Sequence, residues 1–366
     1  MTHGRPEAAK VRSVRFFRAR SPSSRAIADS THSISEIAFL VVRVELDSGV
    51  TGEGFLLSFD YSPQAIIGAL RDIEVLVQGR AAGSMGTLST EFLAAAEYFG
   101  RAGVNNWAHG CVNIAMWDAW ARSHATPIWR MLGAHRNRVP VYGSGGWLSY
   151  SVQELVEEAR GYAARGFRGV KIKVGSGDVQ NDLERLTRVR EGVGSAVDIM
   201  MDANQGLSAG DALKLARGVE KIGVRWFEEP LVNTDFDGYQ RLRNATPLLL
   251  AMGEREFDVV ALRELIGRRA LDLWQPDILR LGGVEAWRSS AALAHAFNMP
   301  VLPHFYKEYD VPLLCTIPNG IGAEYFDWVD GLIQPPLLVK DGSAVASEEP
   351  GWGFRFKDAS LSELPR

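Results

Sequence analysis

The 366-residue sequence contains only two cysteines, Cys111 and Cys315, too few for a disulfide framework or a thiolate zinc site. It also lacks an excess of one charge, since 40 basic and 44 acidic residues give a net charge of −4. No apolar run approaches the roughly 20 residues of a membrane span, and residues 1–20 lack the apolar segment of a secretory signal. We therefore expect a reduced, cytoplasmic protein that binds neither nucleic acid nor membrane.

The first third of the chain is predicted to mix strands and helices. Residues 36–46 are rich in β-branched side chains and end at a turn signal, and a second strand is predicted over residues 50–57. Helical patterns follow over residues 62–77, 89–99 and 108–123. The tryptophans are interpreted as core residues.

From residue 139 onward, short apolar strands alternate with amphipathic helices at a nearly constant interval. Eight strands are predicted, over residues 139–143, 169–174, 197–204, 224–230, 248–254, 271–277, 299–305 and 323–326. Helices are predicted between them, among others over residues 151–164, 209–221 and 284–297. This alternation predicts parallel βαβ units, and eight of them predict a closed (β/α) barrel.

Polar side chains recur where these strands end. They are Lys171, Lys173, Asp202, Glu228, Glu254, Asp277, His304 and Glu324. Because the carboxyl ends of barrel strands meet at one mouth, where barrel enzymes place their chemistry, we expect these side chains to converge. Burying a charge at the end of a strand costs free energy unless an opposite charge pairs with it. Seven strand ends with such residues therefore need a common explanation.

Three of the strand ends carry carboxylates: Asp202, Glu228 and Glu254. Three carboxylates on successive strands would repel one another unless a cation lay between them. Ligation by oxygen alone favours a hard ion, with Mg²⁺ first and Mn²⁺ as a substitute. The alternative is that each carboxylate pairs with a neighbouring lysine or caps a helix.

The remaining strand ends are candidates for proton transfer. Lys171 and Lys173 share a face, and a lysine can act as a base only if a second ammonium or a nearby cation lowers its pKa. Asp277 beside His304 would fix the imidazole tautomer and raise its basicity, which gives a second acid/base. Glu324 would either hydrogen-bond to developing negative charge if held protonated, or serve as a structural acid.

Seven short motifs occur in order along the chain: KIK (171–173), MDAN (201–204), EEP (228–230), GE (253–254), QPDILRLGG (275–283), PHF (303–305) and AE (323–324). Together they resemble the enolase superfamily, and within it the mandelate racemase subgroup. The resemblance extends from about residue 36 to residue 356, and the pattern looks most like the acid-sugar dehydratases of the galactarate/talarate type. Each motif is weak alone, whereas seven in order form a strong signal.

The resemblance implies a (β/α)7β barrel, a modified TIM barrel, with an N-terminal α+β capping domain. The capping domain would span residues 1–135, the barrel 136–330, and residues 331–366 would return to the capping domain. A homo-oligomer, often an octamer in such proteins, is also implied.

The resemblance also implies roles for the strand-end residues. The Mg²⁺ ligands would be Asp202, Glu228 and Glu254. Lys173 would be one base and the His304–Asp277 dyad the other, while Lys171 would contact the substrate carboxylate and Glu324 would face the enolate.

The implied reaction starts with removal of a proton α to a carboxylate, which gives an enediolate whose charge Mg²⁺ and Lys171 neutralise. If His304 then protonates a β-hydroxyl, water leaves and a 2-keto-3-deoxy acid forms, so the protein would be an aldarate or aldonate dehydratase. If a proton returns to the α-carbon, it would be a racemase or epimerase. A barrel that binds metal and sugar acid without turnover is a third hypothesis.

Substrate recognition is expected to involve the capping domain. The stretch over residues 18–33 is polar, with Arg18, Arg20, Arg25 and His32, which would suit a polyhydroxy acid better than an aromatic one. Arg25, His32 and Asn204 are the candidate substrate contacts. The alternative for the stretch is an ordinary solvated loop, and the bulky residues after His304 could reshape the pocket.

Overall fold

The computed structural model describes residues 9–22 and 25–365 of the chain. Residues 1–8 of the predicted capping domain, Ser23 and Ser24 of the polar stretch, and Arg366 lie outside the described residues. Within the described ranges, none of the helices is long and apolar enough to cross a membrane. Cys111 and Cys315 are both buried, and neither forms a disulfide with a described residue.

The N-terminal elements form an antiparallel sheet covered by helices. In chain order they are β1 (Val11–Arg20), β2 (Ile27–Ala28), β3 (Ser33–Ile34), β4 (Ala38–Leu46), β5 (Thr51–Leu57), α1 (Pro63–Val77), α2 (Met85–Ala95), α3 (Val104–Ser123) and α4 (Ile128–Met131). β4 pairs with β1 on one side and with β5 on the other. α2 covers residues 85–95 instead of the predicted 89–99, whereas the other predicted helices and strands lie close to their expected positions.

Strand β1 was not predicted, and the polar stretch from Arg18 was expected to be a loop. Val11 and Val14 of this strand are buried, whereas the arginines between and after them reach the surface. Four arginines in ten residues hide the apolar pattern, because their long stems lie along a sheet while their charged ends stay in water. Arg18 and Arg20 therefore lie on a strand rather than in a loop.

The second part of the chain alternates strands and helices as predicted. Its elements are β6 (Arg138–Gly145), α5 (Val152–Ala164), β7 (Gly169–Lys173), α6 (Val179–Val193), β8 (Asp198–Asp202), α7 (Ala209–Gly218), β9 (Val224–Glu228), α8 (Phe236–Ala245), β10 (Leu249–Met252), α9 (Val259–Gly267), β11 (Leu273–Trp274), α10 (Val284–Ala296), α11 (Lys307–Leu314) and β12 (Ala323–Tyr325). A short 3-10 helix over Val219–Lys221 extends α7.

Strands β6 to β11 pair in parallel, each with the next in chain order. Val301 forms single parallel bridges to Trp274 of β11 and to Gly320, and β12 pairs in parallel with β6. These pairings follow the strand order of a (β/α)7β barrel, with Val301 beside β11 and β12 beside β6, and Gly320, which bridges Val301, lies three residues before β12. The strand predicted over residues 299–305 is reduced to the bridge at Val301, because Pro300 and Pro303 have no N–H to donate to a ladder.

The C-terminal segment connects the barrel with the N-terminal sheet. Its strands are β13 (Ile333–Gln334), β14 (Leu338–Lys340), β15 (Ser343–Val345), β16 (Arg355–Phe356) and β17 (Ser362–Glu363). β15 pairs with β6, and β17 pairs with β1. Arg355 donates to Thr51 of β5, and the backbone N–H of Phe356 donates to Glu53. The segment thus returns to the N-terminal sheet as expected, while the boundaries of the three predicted domains stay predictions.

The barrel interior is filled below its mouth by one buried side chain from each of six strand positions. They are Tyr142, Met200, Trp226, Ala251, Leu273 and Leu302. This layer closes the barrel from below, so the strand ends above it form the floor of a cavity rather than a pore.

Candidate active site

The charged strand-end side chains converge at the mouth of the barrel. The β7–β8 ladder places Lys171 opposite Met200 and Lys173 opposite Asp202, and the next ladder places Asp202 opposite Glu228. Because side chains two residues apart share a face, the lysines and carboxylates point inward above the apolar layer that contains Met200. The predicted convergence of these residues is therefore present in the fold.

Lys171 connects two carboxylates of the ring. Its Nζ lies 2.6 Å from Oε1 of Glu228 and 2.7 Å from Oε1 of Glu324, and its side chain is 1% exposed. Burial alone would lower the pKa of Lys171, but Glu228 and Glu324 outweigh it and raise the pKa well above its ordinary value. Lys171 is accordingly a fixed positive charge at the mouth.

Lys173 pairs with the carboxylate of the neighbouring strand. Its Nζ lies 2.6 Å from Oδ2 of Asp202 and 5.3 Å from the centre of the Trp147 ring. The pKa of Lys173 was expected to be lowered, but it is raised, because Asp202 outweighs both burial and the second ammonium of Lys171. In this arrangement Lys173 holds its proton as long as Asp202 faces it.

Glu228 accepts a hydrogen bond from Gln275, a residue that was not predicted to belong to the site. Nε2 of Gln275 donates to its Oε2 at 2.6 Å, while Lys171 donates to its Oε1. Burial and the neighbouring carboxylates, opposed by Lys171, raise the pKa of Glu228 to about 7. Gln275 could have been found from sequence, because it lies two residues before Asp277 and therefore on the same face of the strand end.

His304 lies between two carboxylates. Its Nδ1 is 2.9 Å from Oδ2 of Asp277, and its Nε2 is 3.4 Å from Oε2 of Glu254. Burial would lower the pKa of His304, but Glu254 and Asp277 outweigh it and hold the pKa above its ordinary value. The predicted His304–Asp277 dyad is therefore formed.

Two arginines beside this dyad were not singled out from the sequence. Nε of Arg255 lies 3.2 Å from Oε1 of Glu254 and 3.3 Å from Oε2 of Glu229. Arg280 donates to the backbone carbonyl of Glu254 at 2.5 Å and lies 3.2 Å from its Oε1. Arg255 directly follows Glu254, and Arg280 lies three residues after Asp277. This closeness in sequence to predicted site residues was the signal that could have identified them.

Glu324 is held by donors on both of its oxygens. Lys171 contacts Oε1, and the backbone N–H of Phe305 donates to Oε2 at 2.8 Å. Burial would raise the pKa of Glu324, but Lys171, His304 and Lys173 lower it to about 2. Of the two alternatives drawn from the sequence, this arrangement favours an ionised acid over a protonated hydrogen-bond donor.

The three predicted metal ligands are bonded to cations in this structure. Among residues 9–22 and 25–365, no group of three His, Cys, Asp or Glu side chains stands ready to hold an ion. Asp202 faces Lys173, Glu228 faces Lys171, and Glu254 faces His304 and the two arginines. The donor set nevertheless fits Mg²⁺ in type, because it offers three buried carboxylates on adjacent strands. Ion binding would require them to exchange these contacts for the metal.

A cavity of about 490 Å³ opens above the strand ends. Lys171, Lys173, Asn204, Glu254, Asp277, His304 and Glu324 all line it. Aromatic residues form much of the remaining lining: Phe59, Tyr61, Trp107, Trp147, Phe257, Phe305, Tyr306, Phe326 and Trp328. The interpretation of the tryptophans as core is therefore wrong for Trp107 and Trp328, which are only partly buried and line the cavity, whereas Trp147 is a buried core residue that also reaches the cavity.

The predicted contacts from the capping region divide into two groups. His32 lines the cavity, and the turn that carries it is fixed by Asp29, whose Oδ1 accepts from the backbone N–H of His32 at 2.7 Å. Arg25 does not line this cavity, since its guanidinium lies 2.8 Å from Glu154 and over the ring of Tyr150.

Arg18 and Arg20 also lie away from the cavity. Arg18 pairs with Asp60, and Arg20 pairs with Glu36. Of the polar stretch expected at the substrate, Asp29 and His32 line the cavity, whereas Arg18 and Arg20 are neutralised by acidic side chains beside the N-terminal sheet.

Family models match most of the chain. Residues 154–360 match the model described as "Enolase C-terminal domain-like", and residues 11–133 match the model "Mandelate racemase / muconate lactonizing enzyme, N-terminal domain". The fold is thus that of an enolase-like barrel protein. The chain belongs to the mandelate racemase/muconate lactonizing enzyme family, as the motifs had indicated.

Similar proteins include several that act on acid sugars. The chain is 30% identical to L-talarate/galactarate dehydratase of Salmonella typhimurium, over 89% of this chain and 82% of the relative. It is 29% identical to 3,6-anhydro-alpha-L-galactonate cycloisomerase of Streptomyces coelicolor, over 94% and 96%. The crystal structure of L-talarate dehydratase from Polaromonas sp. JS666, complexed with Mg and L-glucarate, superposes with a TM-score of 0.90 at 29% identity, over 97% and 98%.

Proposed function

We propose that this protein is a Mg²⁺-dependent dehydratase of an acid sugar, an aldarate or an aldonate. It would remove the α-proton and expel the β-hydroxyl to give a 2-keto-3-deoxy acid. The observation that carries this proposal is the placement of two proton-transfer groups, Lys173 and the His304–Asp277 dyad, in one cavity that Glu254 also lines. Asp202 and Glu228 lie against the two lysines of the same lining. The similarity to proteins named as dehydratases supports the same class.

The site residues have different roles in the proposed reaction. Asp202, Glu228 and Glu254 would hold the Mg²⁺ ion, which supplies positive charge where the substrate carboxylate gains electrons. Lys171 binds that carboxylate from the barrel side, since its ammonium is buried and keeps its charge. Such fixed charges contribute most of the barrier reduction, because they need no reorganisation as the reaction proceeds.

Lys173 and His304 occupy separate sectors of the ring. Lys173 lies on β7, and His304 follows the strand position at Val301. In one direction around the ring, two strands separate these positions, β12 and β6. In the other direction, four strands separate them, β8 to β11. A substrate held at Lys171 would have one of the two groups on each side. One would take the α-proton while the other delivers a proton to the leaving β-oxygen, a step for which a positioned group contributes about 10²–10⁴-fold.

The test is turnover of an acid-sugar library in D₂O, followed by NMR and by a semicarbazide assay for keto acids. A dehydratase yields a semicarbazide-reactive product, whereas a racemase or epimerase yields a stereoinverted acid with deuterium at the α-carbon. Lys173→Ala and His304→Asn are expected to lose turnover while retaining the fold by circular dichroism.

Two outcomes would contradict the proposal. Stereoinversion without keto acid would establish the racemase or epimerase. Binding of sugar acids without α-exchange or turnover across the library would establish the non-catalytic barrel. The expected homo-oligomer stays a prediction, and sedimentation of the same preparation measures it.

A further inference from the structure

Helix α3 packs against the barrel through a face that is polar as well as buried. Asn106, Asn113 and Trp117 follow one another at intervals of seven and four residues, so they share one side of the helix. Asn106 is 3% exposed, and Asn113 is completely buried. A buried amide costs free energy unless it finds hydrogen-bond partners. The partners of this face lie on the segments that follow strands β10 and β11 of the barrel.

Asn106 connects these two segments. Its Nδ2 donates to the backbone carbonyl of Arg280 at 2.6 Å and to that of Phe257 at 3.3 Å. Phe257 lies three residues after Glu254, and Arg280 lies three residues after Asp277. One amide of the N-terminal part of the chain therefore links the segment of a predicted metal ligand to the segment of the proton-transfer dyad.

The next residue of α3 contacts the side chain of Arg280. Cζ of the guanidinium lies 5.4 Å from the ring centre of Trp107, within the range of a cation–π contact. Asn106 thus fixes the main chain of Arg280, while Trp107 supports its charged end. Arg280 in turn donates to the backbone carbonyl of Glu254 at 2.5 Å. A series of direct contacts therefore connects α3 with the strand end that carries Glu254.

The backbone of α3 lies close to the same segment. A Cβ atom at Gly110 would stand 2.8 Å from the carbonyl oxygen of Leu279, and a Cβ atom at Gly282 would stand 2.6 Å from Oδ1 of Asn106. Because the interior is close-packed, the segment cannot shift without displacing the helix. The face of α3 is thus a rigid support for residues 279–282.

Asn106 does not itself belong to the cavity lining. Trp107, Phe257, Leu279 and Arg280 line the cavity, whereas the amide nitrogen of Asn106 donates to backbone carbonyls behind them. Any effect of Asn106 on the site must therefore act through the residues that it holds.

We infer that Asn106 is a positioning residue for metal binding. It fixes the main chain of Arg280, whose side chain in turn holds the strand end that carries Glu254. This inference rests on the assignment of Glu254 as a Mg²⁺ ligand under the proposed function. Residues that orient a metal ligand contribute about 10–100-fold to metal affinity. The N-terminal part of the chain thereby contributes to the metal site without supplying a ligand.

The experiment compares two buried asparagines of the same helix. Asn113 accepts the backbone N–H of Val284 at 3.1 Å and donates to Glu285 at 2.7 Å, so it anchors the start of α10. Asn106→Ala is expected to weaken Mg²⁺ binding about tenfold in a calorimetric titration, the lower end for such residues. Asn113→Ala should bind Mg²⁺ as wild type does. Both variants should unfold at a lower urea concentration than wild type, because each loses buried hydrogen bonds.

A second variant tests the same contacts where Asn106→Ala does not fold. Asn106→Ser leaves a smaller void, and its side chain is too short to replace the amide at both carbonyls. We expect the same loss of Mg²⁺ affinity. Wild-type affinity in either folded variant would overturn the inference and leave the proposed function in place.

A double-mutant cycle separates positioning from general destabilisation. Arg280→Ala removes the side chain through which Asn106 acts, so Asn106→Ala should cause little further loss of Mg²⁺ affinity in that background. A merely structural role would cause the same loss in both backgrounds, and that result would overturn the inference. Absence of Mg²⁺ binding by the wild type would overturn the proposed metal site, and the inference with it.

Discussion

Nδ1 of His304 lies 2.9 Å from Oδ2 of Asp277, although the two residues follow different strand positions of the barrel. The other oxygen of Asp277 accepts the backbone N–H groups of Leu279 and Arg280, so the carboxylate cannot rotate away. An ionised carboxylate at this distance keeps the proton of the neutral imidazole on Nδ1. Proton exchange is thereby left to Nε2, the nitrogen that lies 3.4 Å from Oε2 of Glu254 in this structure.

Replacement of this carboxylate should impair proton transfer without disturbing the fold. In Asp277→Asn the side-chain amide can donate to Nδ1, which would move the imidazole proton to Nε2 and remove the base. We expect kcat to fall by about 10²–10⁴-fold, the usual contribution of a positioned acid/base. The measurement is kcat together with Mg²⁺ affinity by calorimetry, and the affinity should stay near that of wild type. A kcat within threefold of wild type would rule out the dyad as a proton-transfer group.

The hydrogen bond from Gln275 to Glu228 predicts an effect on metal binding. Gln275→Leu removes the donor on Oε2 of Glu228 and leaves that oxygen without its protein partner. Loss of a residue that orients a metal ligand typically costs 10–100-fold in metal affinity, and we expect a loss of about that size for Mg²⁺. The exposed Gln153→Leu on α5 is the control. Calorimetric titration with Mg²⁺ that cannot distinguish the two variants would show that Gln275 does not orient a ligand.

The strand ends of the barrel could be predicted because their pattern is local. Lys171, Lys173 and Asp202 were assigned to one mouth from the alternation of faces and from the near-constant length of a strand–helix unit. Both rules depend only on nearby residues, and the fold follows them. The dyad of Asp277 and His304 was predicted on the same basis.

The walls of the cavity could not be predicted in this way. The ring centres of Phe59 and Trp328 lie 5.9 Å apart in the cavity lining, yet one residue follows a strand of the N-terminal sheet and the other follows the last barrel strand. Their contact depends on how the N-terminal part of the chain packs against the barrel. The spacing of apolar residues within a single strand or helix carries no information about that packing. The residues after His304, expected only to reshape the pocket, lead into helix α11, in which the charges of Lys307 and Glu308 are buried and compensate each other.

The close approach of α3 to β5 predicts a large effect of a single methyl group. A Cβ atom at Gly52 would stand 2.1 Å from the backbone nitrogen of Ala119 and 2.3 Å from the carbonyl oxygen of Ala115. Neither atom can move without displacing the helix, so Gly52→Ala should lower the free energy of unfolding by about 3 kcal/mol, at the upper end for overpacking. Urea unfolding followed by circular dichroism measures it.

A matched glycine offers the control for this experiment. Gly68 lies in the exposed face of α1, and a Cβ atom there would meet no neighbouring element within 4 Å. Gly68→Ala should therefore stabilise the protein by about 0.5–1 kcal/mol, because alanine has the higher helix propensity. If both variants changed stability equally, the close contact at Gly52 would not be the cause.

The partly buried carboxyl of Glu158 predicts a dependence of stability on pH. Glu158 accepts the backbone N–H of Gly146 at 2.7 Å, yet burial and the nearby Asp327 raise its pKa from 4.5 to about 7. Between these two pH values the folded state holds a proton that the unfolded chain releases. Stability must therefore fall as pH rises from about 4.5 to about 7 and stay lowered above it, by on the order of 3 kcal/mol.

Glu158→Gln should remove this dependence, since the amide keeps an acceptor for Gly146 and carries no charge. We expect the variant to match wild type at pH 4 and to exceed its free energy of unfolding at pH 8. The control is Glu157→Gln, one residue earlier on the exposed side of α5, which should follow the wild-type profile. Urea titrations of the three proteins from pH 4 to pH 8 measure the difference, and parallel profiles for wild type and Glu158→Gln would mean that Glu158 ionises in the fold as it does in the unfolded chain.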